Sequence, residues 1–333
     1  MKHSLFSMIL AAAVMTACSK DGPGGEESAS VMMTCLTIGI EGASVTRADE
    51  EKINSLQVLL FKDGVFCCSG SSDCGSVDIS AAKGTYSIYA FVNDPREWSS
   101  VPDISEAVIF GSSSSFADNS PSSYVMFGYL PSFEIKGEAV SVTIPVNRFA
   151  SKISIEETAV DFSGNAGYKG CSLTIRRIYL SNVLGTCPYS MIPSGAPSAD
   201  DVWYNRMGFE GSSESITSLT SDTELDITIE DDSSKDLALS YYAYPNGCAS
   251  DSFSDIWEAR KTRVVIEAAL DGQECWYHIT IPEMKPNAHY RITRCTIRNI
   301  GGTSPEKHME PADISFTMQV EDWEKTYTVE EIS

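Results

Sequence analysis

The chain has 333 residues, a hydrophobic fraction of 42% and a formal charge of −22. That length exceeds one small sandwich and predicts two domains, and the apolar content is ample for packed cores, which excludes wholesale disorder. The charge argues against nucleic acid as a partner, because phosphates would be repelled, and suits a protein held at high local density outside a cell.

Residues 1–17 read as a signal peptide, with Lys2 and His3 followed by an apolar run over 5–14. Such a run is too short to cross a bilayer permanently. It ends at Met15-Thr16-Ala17-Cys18, which resembles a bacterial lipobox with Cys18 acylated. Acyl chains contribute about 0.8 kcal/mol per buried methylene, so the only membrane contact expected is through the lipid. A polar, Gly-rich tether follows over 20–30. Residues 31–40 then form an extended apolar run with Leu36, Ile38 and Ile40 on one face, a strand that needs a sheet. Between it and the next strand lies a breaker-rich stretch whose only arginine is Arg47, preceding Ala48. Cutting there would release the domain and remove one strand, leaving an apolar groove with unpaired backbone groups. Taken on its own, Arg47 reads as an ordinary surface residue in a linker.

Beyond residue 51 the apolar alternation has period two almost throughout. Val140, Val142 and Ile144 form one such set; Tyr277, Ile279 and Ile281 another; Ile314, Phe316, Met318 and Val320 a third. Asp63-Gly64 and Asp271-Gly272 predict tight hairpins between flanking runs. Only 252–261 suggests a short helix. Residues 112–123, rich in serine, read as a solvated loop, and the Gly/Pro-rich stretch around 185–197 as an interdomain crossing or long surface loop. The resulting expectation is antiparallel all-β, with a signal peptide over 1–17, a tether and N-terminal strand over 18–47, and domains over 48–185 and 186–333. Of ten cysteines, eight would remain after loss of the segment up to Arg47, in an exported location that permits disulfides. Cys67, Cys68 and Cys74 share one Ser/Gly-rich loop where a local bridge is plausible.

Residues for chemistry are scarce. His278, His289 and His308 are scattered and read as surface residues, and no metal, nucleophile-elbow or phosphate-loop motif occurs. Glu230-Asp231-Asp232 reads as a solvated acidic turn, since the glycine and closing glutamate of a calcium hand are missing. The five tryptophans read as core or corner residues of sandwiches rather than sugar platforms. No enzyme activity, metal or cofactor is therefore expected.

The final alternating run continues into a second extended stretch with Trp323, Tyr327 and Val329. A terminal strand not locked between others can pair with a neighbouring molecule, and such a contact is heterologous and builds an open filament.

In order along the chain come the lipobox at Cys18, Ile53-Asn54-Ser55-Leu56-Gln57-Val58-Leu59-Leu60-Phe61 with Asp63-Gly64, and Tyr89-Ala90-Phe91-Val92-Asn93. They are followed by Asn147-Arg148-Phe149-Ala150-Ser151-Lys152-Ile153, Tyr244-Pro245-Asn246, Asn287-Ala288-His289-Tyr290-Arg291-Ile292, Gly301-Gly302 and Val320-Glu321-Asp322-Trp323. The ordered set resembles the Bacteroidales-type fimbrillins, subunits of type V pili. The resemblance implies two transthyretin-like, Greek-key β-sandwiches in tandem, exported as an outer-membrane lipoprotein. It implies cleavage by a trypsin-like protease after an arginine, here Arg47. It further implies polymerisation with other pilin subunits, a C-terminal strand near 314–333 filling the groove left by Leu36, Ile38 and Ile40. A stalk or tip role in an adhesive fimbrium follows, its surface ligand unnamed. The alternative is a monomeric surface lipoprotein binding glycans or proteins through its loops.

Overall fold

The computed structural model describes residues 33–41, 52–191, 196–206, 219–222, 225–249, 251, 258–305 and 313–323. Cys18, Arg47, Ala48, His308, Tyr327 and Val329, and most of the expected 252–261 helix, lie outside them.

The first half is built from β1 (Met33–Glu41), β2 (Leu56–Lys62), β3 (Val65–Ser72), β4 (Ser76–Ala82), β5 (Gly84–Val92), the five-residue helix α1 (Glu106–Phe110), β6 (Ser113–Ser115), β7 (Met126–Ile135), β8 (Val140–Pro145) and β9 (Asn147–Arg148). The β2–β3 hairpin turns on Asp63 and Gly64 at φ 51° and 75°, the left-handed conformation that this pair supplies cheaply. Two sheets result, a three-stranded one ordered β4-β1-β8 and a five-stranded one ordered β3-β2-β5-β7-β9. They pack closely: a Cβ added to Gly70 on β3 would lie 2.7 Å from Ile79 of β4, and one on Gly128 of β7 only 2.5 Å from the Pro145 carbonyl of β8.

The second half comprises β10 (Ser151–Val160), β11 (Ser172–Ser181), β12 (Val183–Leu184), β13 (Thr186–Pro188), β14 (Trp203–Tyr204), β15 (Ser221–Asp222), β16 (Ile227–Glu230), β17 (Ser233–Ala243), β18 (Arg263–Leu270), β19 (Gln273–Thr280), β20 (Ala288–Ile297) and β21 (Ile314–Asp322). One sheet runs β17-β10-β20-β21 and the other β15-β11-β18-β19, with β16 also on β11. The β18–β19 hairpin turns on Asp271 and Gly272, again both at positive φ. The main apolar core, from Leu36 to Trp323, draws on residues of both halves.

Strand pairing changes partners between β9 and β10, and β10 and β11 pair with later strands. Two features differ from the sequence expectation. The sheets are not purely antiparallel: β1 pairs in parallel with β8, and β10 with β20. Period-two patterning reports which face is buried but carries no information on neighbour direction. The serine-rich 112–123 stretch is not a solvated loop. It holds β6, buried Ser114 and Phe116, and it is covered by β13. Composition suggested solvent, yet the short polar side chains satisfy main-chain groups inside the molecule.

Candidate functional site

β1 is the central strand of its sheet although it comes first in the chain. It pairs over seven positions with β4, from Met33–Ala82 to Gly39–Ser76, and over six with β8, from Leu36–Val140 to Glu41–Pro145. Leu36 and Ile38 are fully buried and Ile40 nearly so, whereas Met33 and Cys35 face solvent. Burying each of the three stabilises by about 1.5–3 kcal/mol. Neither neighbour adjoins β1 in sequence, so loss of β1 would strip main-chain partners from two strands at once and open a groove lined by Ile79 and Ile144.

β21 has the opposite character. Among the described residues it is an edge strand, paired antiparallel only with β20, from Ala288–Asp322 to Ile297–Ile314. Ile314 is buried, but Phe316 and Val320 are 43% and 55% exposed and Met318 is half-buried. Cross-strand register puts these residues opposite Cys295, Tyr290 and Ile292, which are all buried, so β21 turns apolar side chains core-ward without full cover. Just beyond it, the Trp323 N–H donates to the Asn287 carbonyl at 2.8 Å. The Trp323 ring stacks on Tyr242 and meets Tyr124 edge-on, both at 5.6 Å, with the Arg148 guanidinium 4.7 Å from its centroid. The structure thus separates Leu36, Ile38 and Ile40 from Ile314, Phe316, Met318 and Val320, placing the two sets in different sheets.

Other candidates find structural roles. Asp231 accepts main-chain N–H bonds from Phe162 and Gly170, both at 2.8 Å. The Gly170 bond first, then that of Phe162, holds its carboxyl below the usual range, so the acidic turn ties down the 161–170 loop. His289 shares a 2.8 Å hydrogen bond with Ser154. His278 is buried and not a surface residue, because the outer face of the β18–β19 hairpin is itself covered: Asp251 accepts from Arg263 and from Thr280 there. Trp98, Trp203 and Trp323 are buried. Cys67, Cys68 and Cys74 form no local bridge. Successive residues of β3 point to opposite faces, and Cys74 lies past its end, hydrogen-bonded to Ser72 and Ser76. Among the described residues no three metal-ligating side chains converge.

Sequence reasoning missed Asp94 and Tyr189. The Asp94 carboxylate accepts the Trp98 Nε1–H at 2.8 Å and the Tyr189 hydroxyl, all three side chains being buried. A Tyr in a Pro/Ser-rich loop offered a signal only in being aromatic where solvation was expected.

No family model and no curated protein matches the chain. Solved structures do. A candidate cell adhesion protein of Bacteroides eggerthii aligns over 87% of this chain and 96% of its own, with a TM-score of 0.64 at 17% identity. A fimbrilin of Porphyromonas gingivalis aligns over 87% and 97%, with 0.62 at 13%. The tip fimbrial protein Mfa3 of the same organism aligns over 87% and 100%, with 0.54 at 10%. The chain has the fold of these Bacteroidales fimbrial and adhesion proteins, in keeping with the fimbrillin resemblance of its sequence.

Proposed function

We propose that this protein is a stalk or tip subunit of a cell-surface fimbrium, exported as a lipoprotein on Cys18, cleaved after Arg47 and polymerised by strand exchange. The observation that carries the reading is the placement of β1: a strand from beyond the first hairpin, buried at the centre of a sheet and flanked by neighbours distant in sequence. Its connection to β2 contains Arg47, the only arginine between the lipid cysteine and β2. Likeness in fold to a fimbrilin and to a tip fimbrial protein supports the assignment to a pilus, with other subunits as partners and adhesion as the output. In this reading the halves are two tandem transthyretin-like sandwiches that meet near residue 150, where the strands change partners.

The donor lies within 314–333. β21 repeats the spacing of Leu36, Ile38 and Ile40 with Phe316, Met318 and Val320. Before cleavage the tethered β1 competes at high effective concentration, and cleavage removes that competitor. Strand addition then satisfies both β4 and β8 with a neighbour's main chain. The test is incubation of wild-type and Arg47→Ala protein with a trypsin-like protease. Wild-type chains should give a ladder of assemblies resistant to mild detergent, and the variant a stable monomer. Equal ladders from an Arg47→Ala chain that is not cut elsewhere would sink the reading.

A further inference from the structure

We infer that the segment after β11, with Tyr189 at its centre, is a rear brace that keeps the groove open and shaped once β1 has left. The inference rests on the strand removal proposed above but concerns what the remaining fold does next.

The five-stranded sheet of the first half has two faces. Val58, Ala90, Gly128 and Gly70 occupy matched positions on the inner face, against β4, β1 and β8. Phe91 and Phe127 are also matched across strands and occupy the outer face. There Tyr189 is seated, 1% exposed, with its ring centroid 5.6 Å from Phe91, 4.9 Å from Trp98, 5.4 Å from Phe127 and 5.1 Å from Phe149. Its hydroxyl donates to Asp94. The main chain is fixed as well: the Tyr189 N–H donates to the Ser112 carbonyl, the Phe116 N–H to the Gly185 carbonyl, and β13 pairs with β6. This segment leaves β11 and is followed by β14, so strands of the second half reach around to clamp the back of a first-half sheet.

The clamp lies on the face of this sheet opposite to the one that β1 covers. When β1 departs, the inner face loses Leu36, Ile38 and Ile40, and a sheet supported on that face alone would lose its core. The aromatic cluster at the back is buried independently of β1, and so β2, β5 and β7 retain a packed face. An incoming strand then meets a pre-formed slot and spends less of its binding energy on ordering the acceptor.

Hydrogen exchange on the full chain tests this. Ile38→Asp puts an unpaired carboxylate at a fully buried position and expels β1. Amides of β1 should lose protection while those of β5 and β7 hold theirs to within about tenfold. Adding Tyr189→Ala should then lower β5 and β7 protection by about a further hundredfold, against less than about tenfold when β1 is seated. Tyr189→Phe keeps the ring, loses the Asp94 bond and should show the same ordering with smaller steps, which leaves a readout if the alanine variant does not fold. Loss of β5 and β7 protection in Ile38→Asp alone would overturn the inference. So would Tyr189 substitutions that cost the same with and without β1. A chain that stays protected there and fails to assemble would count against strand exchange and not against the brace.

Discussion

Asn93, Asn246 and Asn287 hold places where the chain must turn without leaving polar groups bare. Asn93 sits at φ 55°; its amide donates to the Lys52 and Tyr124 carbonyls and its carbonyl accepts from Asn54 N–H. Asn246 donates to the Asn182 and Arg260 carbonyls and to Thr262, and accepts from Cys248 N–H. Replacing it with alanine leaves several buried partners unsatisfied and should cost about 2–3 kcal/mol in urea unfolding. These residues stood out in sequence only as parts of recurring short motifs, and their partners, tens of residues away, could not be read there. Thiols obey the same logic of burial. Burial pushes Cys187 and Cys295 up to about 12, whereas main-chain and hydroxyl contacts from Ser76 and Ser72 hold exposed Cys74 below its ordinary value. Native alkylation near pH 7.5 should therefore mark Cys74 early and leave Cys187 and Cys295 unlabelled, as peptide mass mapping would show. Asp231 makes a pH prediction. Its folded value is depressed, so its contribution is present above the unfolded value of about 3.9 and is lost as pH falls through the folded one. Melting curves of Asp231→Asn should be lower than wild type at pH 7 and converge with it as pH falls through the folded value.

At the scale of elements, the hairpins were legible because Asp-Gly pairs demand a left-handed backbone and the flanking runs alternate. The apolar face of β1 was legible for the same period-two reason. Its neighbours were not: nothing local in residues 31–40 specifies an antiparallel β4 on one side and a parallel β8 on the other, since pairing between distant segments is set by the whole core. The short helix α1 was also missed, although Ser105 caps it by accepting the Val108 N–H. Five residues give too little periodicity to detect. β1 yields a sharp conditional prediction. Leu36→Ala empties a fully buried site and should destabilise the uncut chain by about 2–4 kcal/mol. In a chain cleaved after Arg47 and freed of β1, the same substitution should change nothing. A destabilisation that persists after cleavage would mean that β1 stays in place.

For the whole molecule, the relation between the halves decides what the C-terminal segment can do. Tyr189 and Tyr244 cross from later strands into the first half. The Tyr244 hydroxyl contacts Ser114 at 2.7 Å, accepts from Asn119 at 2.8 Å and donates to the Ser115 carbonyl at 3.0 Å. Trp323 makes a third crossing by packing on Tyr124. With a core continuous across these ties, calorimetry should record one cooperative transition and not two. Trp323 also divides the C-terminal region into an anchored part and the residues after it, 324–333. Deleting 324–333 leaves β21 paired with β20 and Trp323 on its aromatic seat, so the fold and the melting temperature should hold to within a few degrees. The truncated chain keeps its own groove, so after cleavage it can still accept a strand from an intact subunit. If residues beyond Trp323 belong to the donor, the truncated chain alone should stay monomeric after cleavage. Mixed with wild type it should cap growing filaments and shorten the ladder in proportion to its fraction. If β21 by itself is the donor, the truncated chain should polymerise as the parent does, and Phe316→Asp should abolish assembly instead. The outcome of that pair of variants assigns the donor strand to one side of Trp323 or the other.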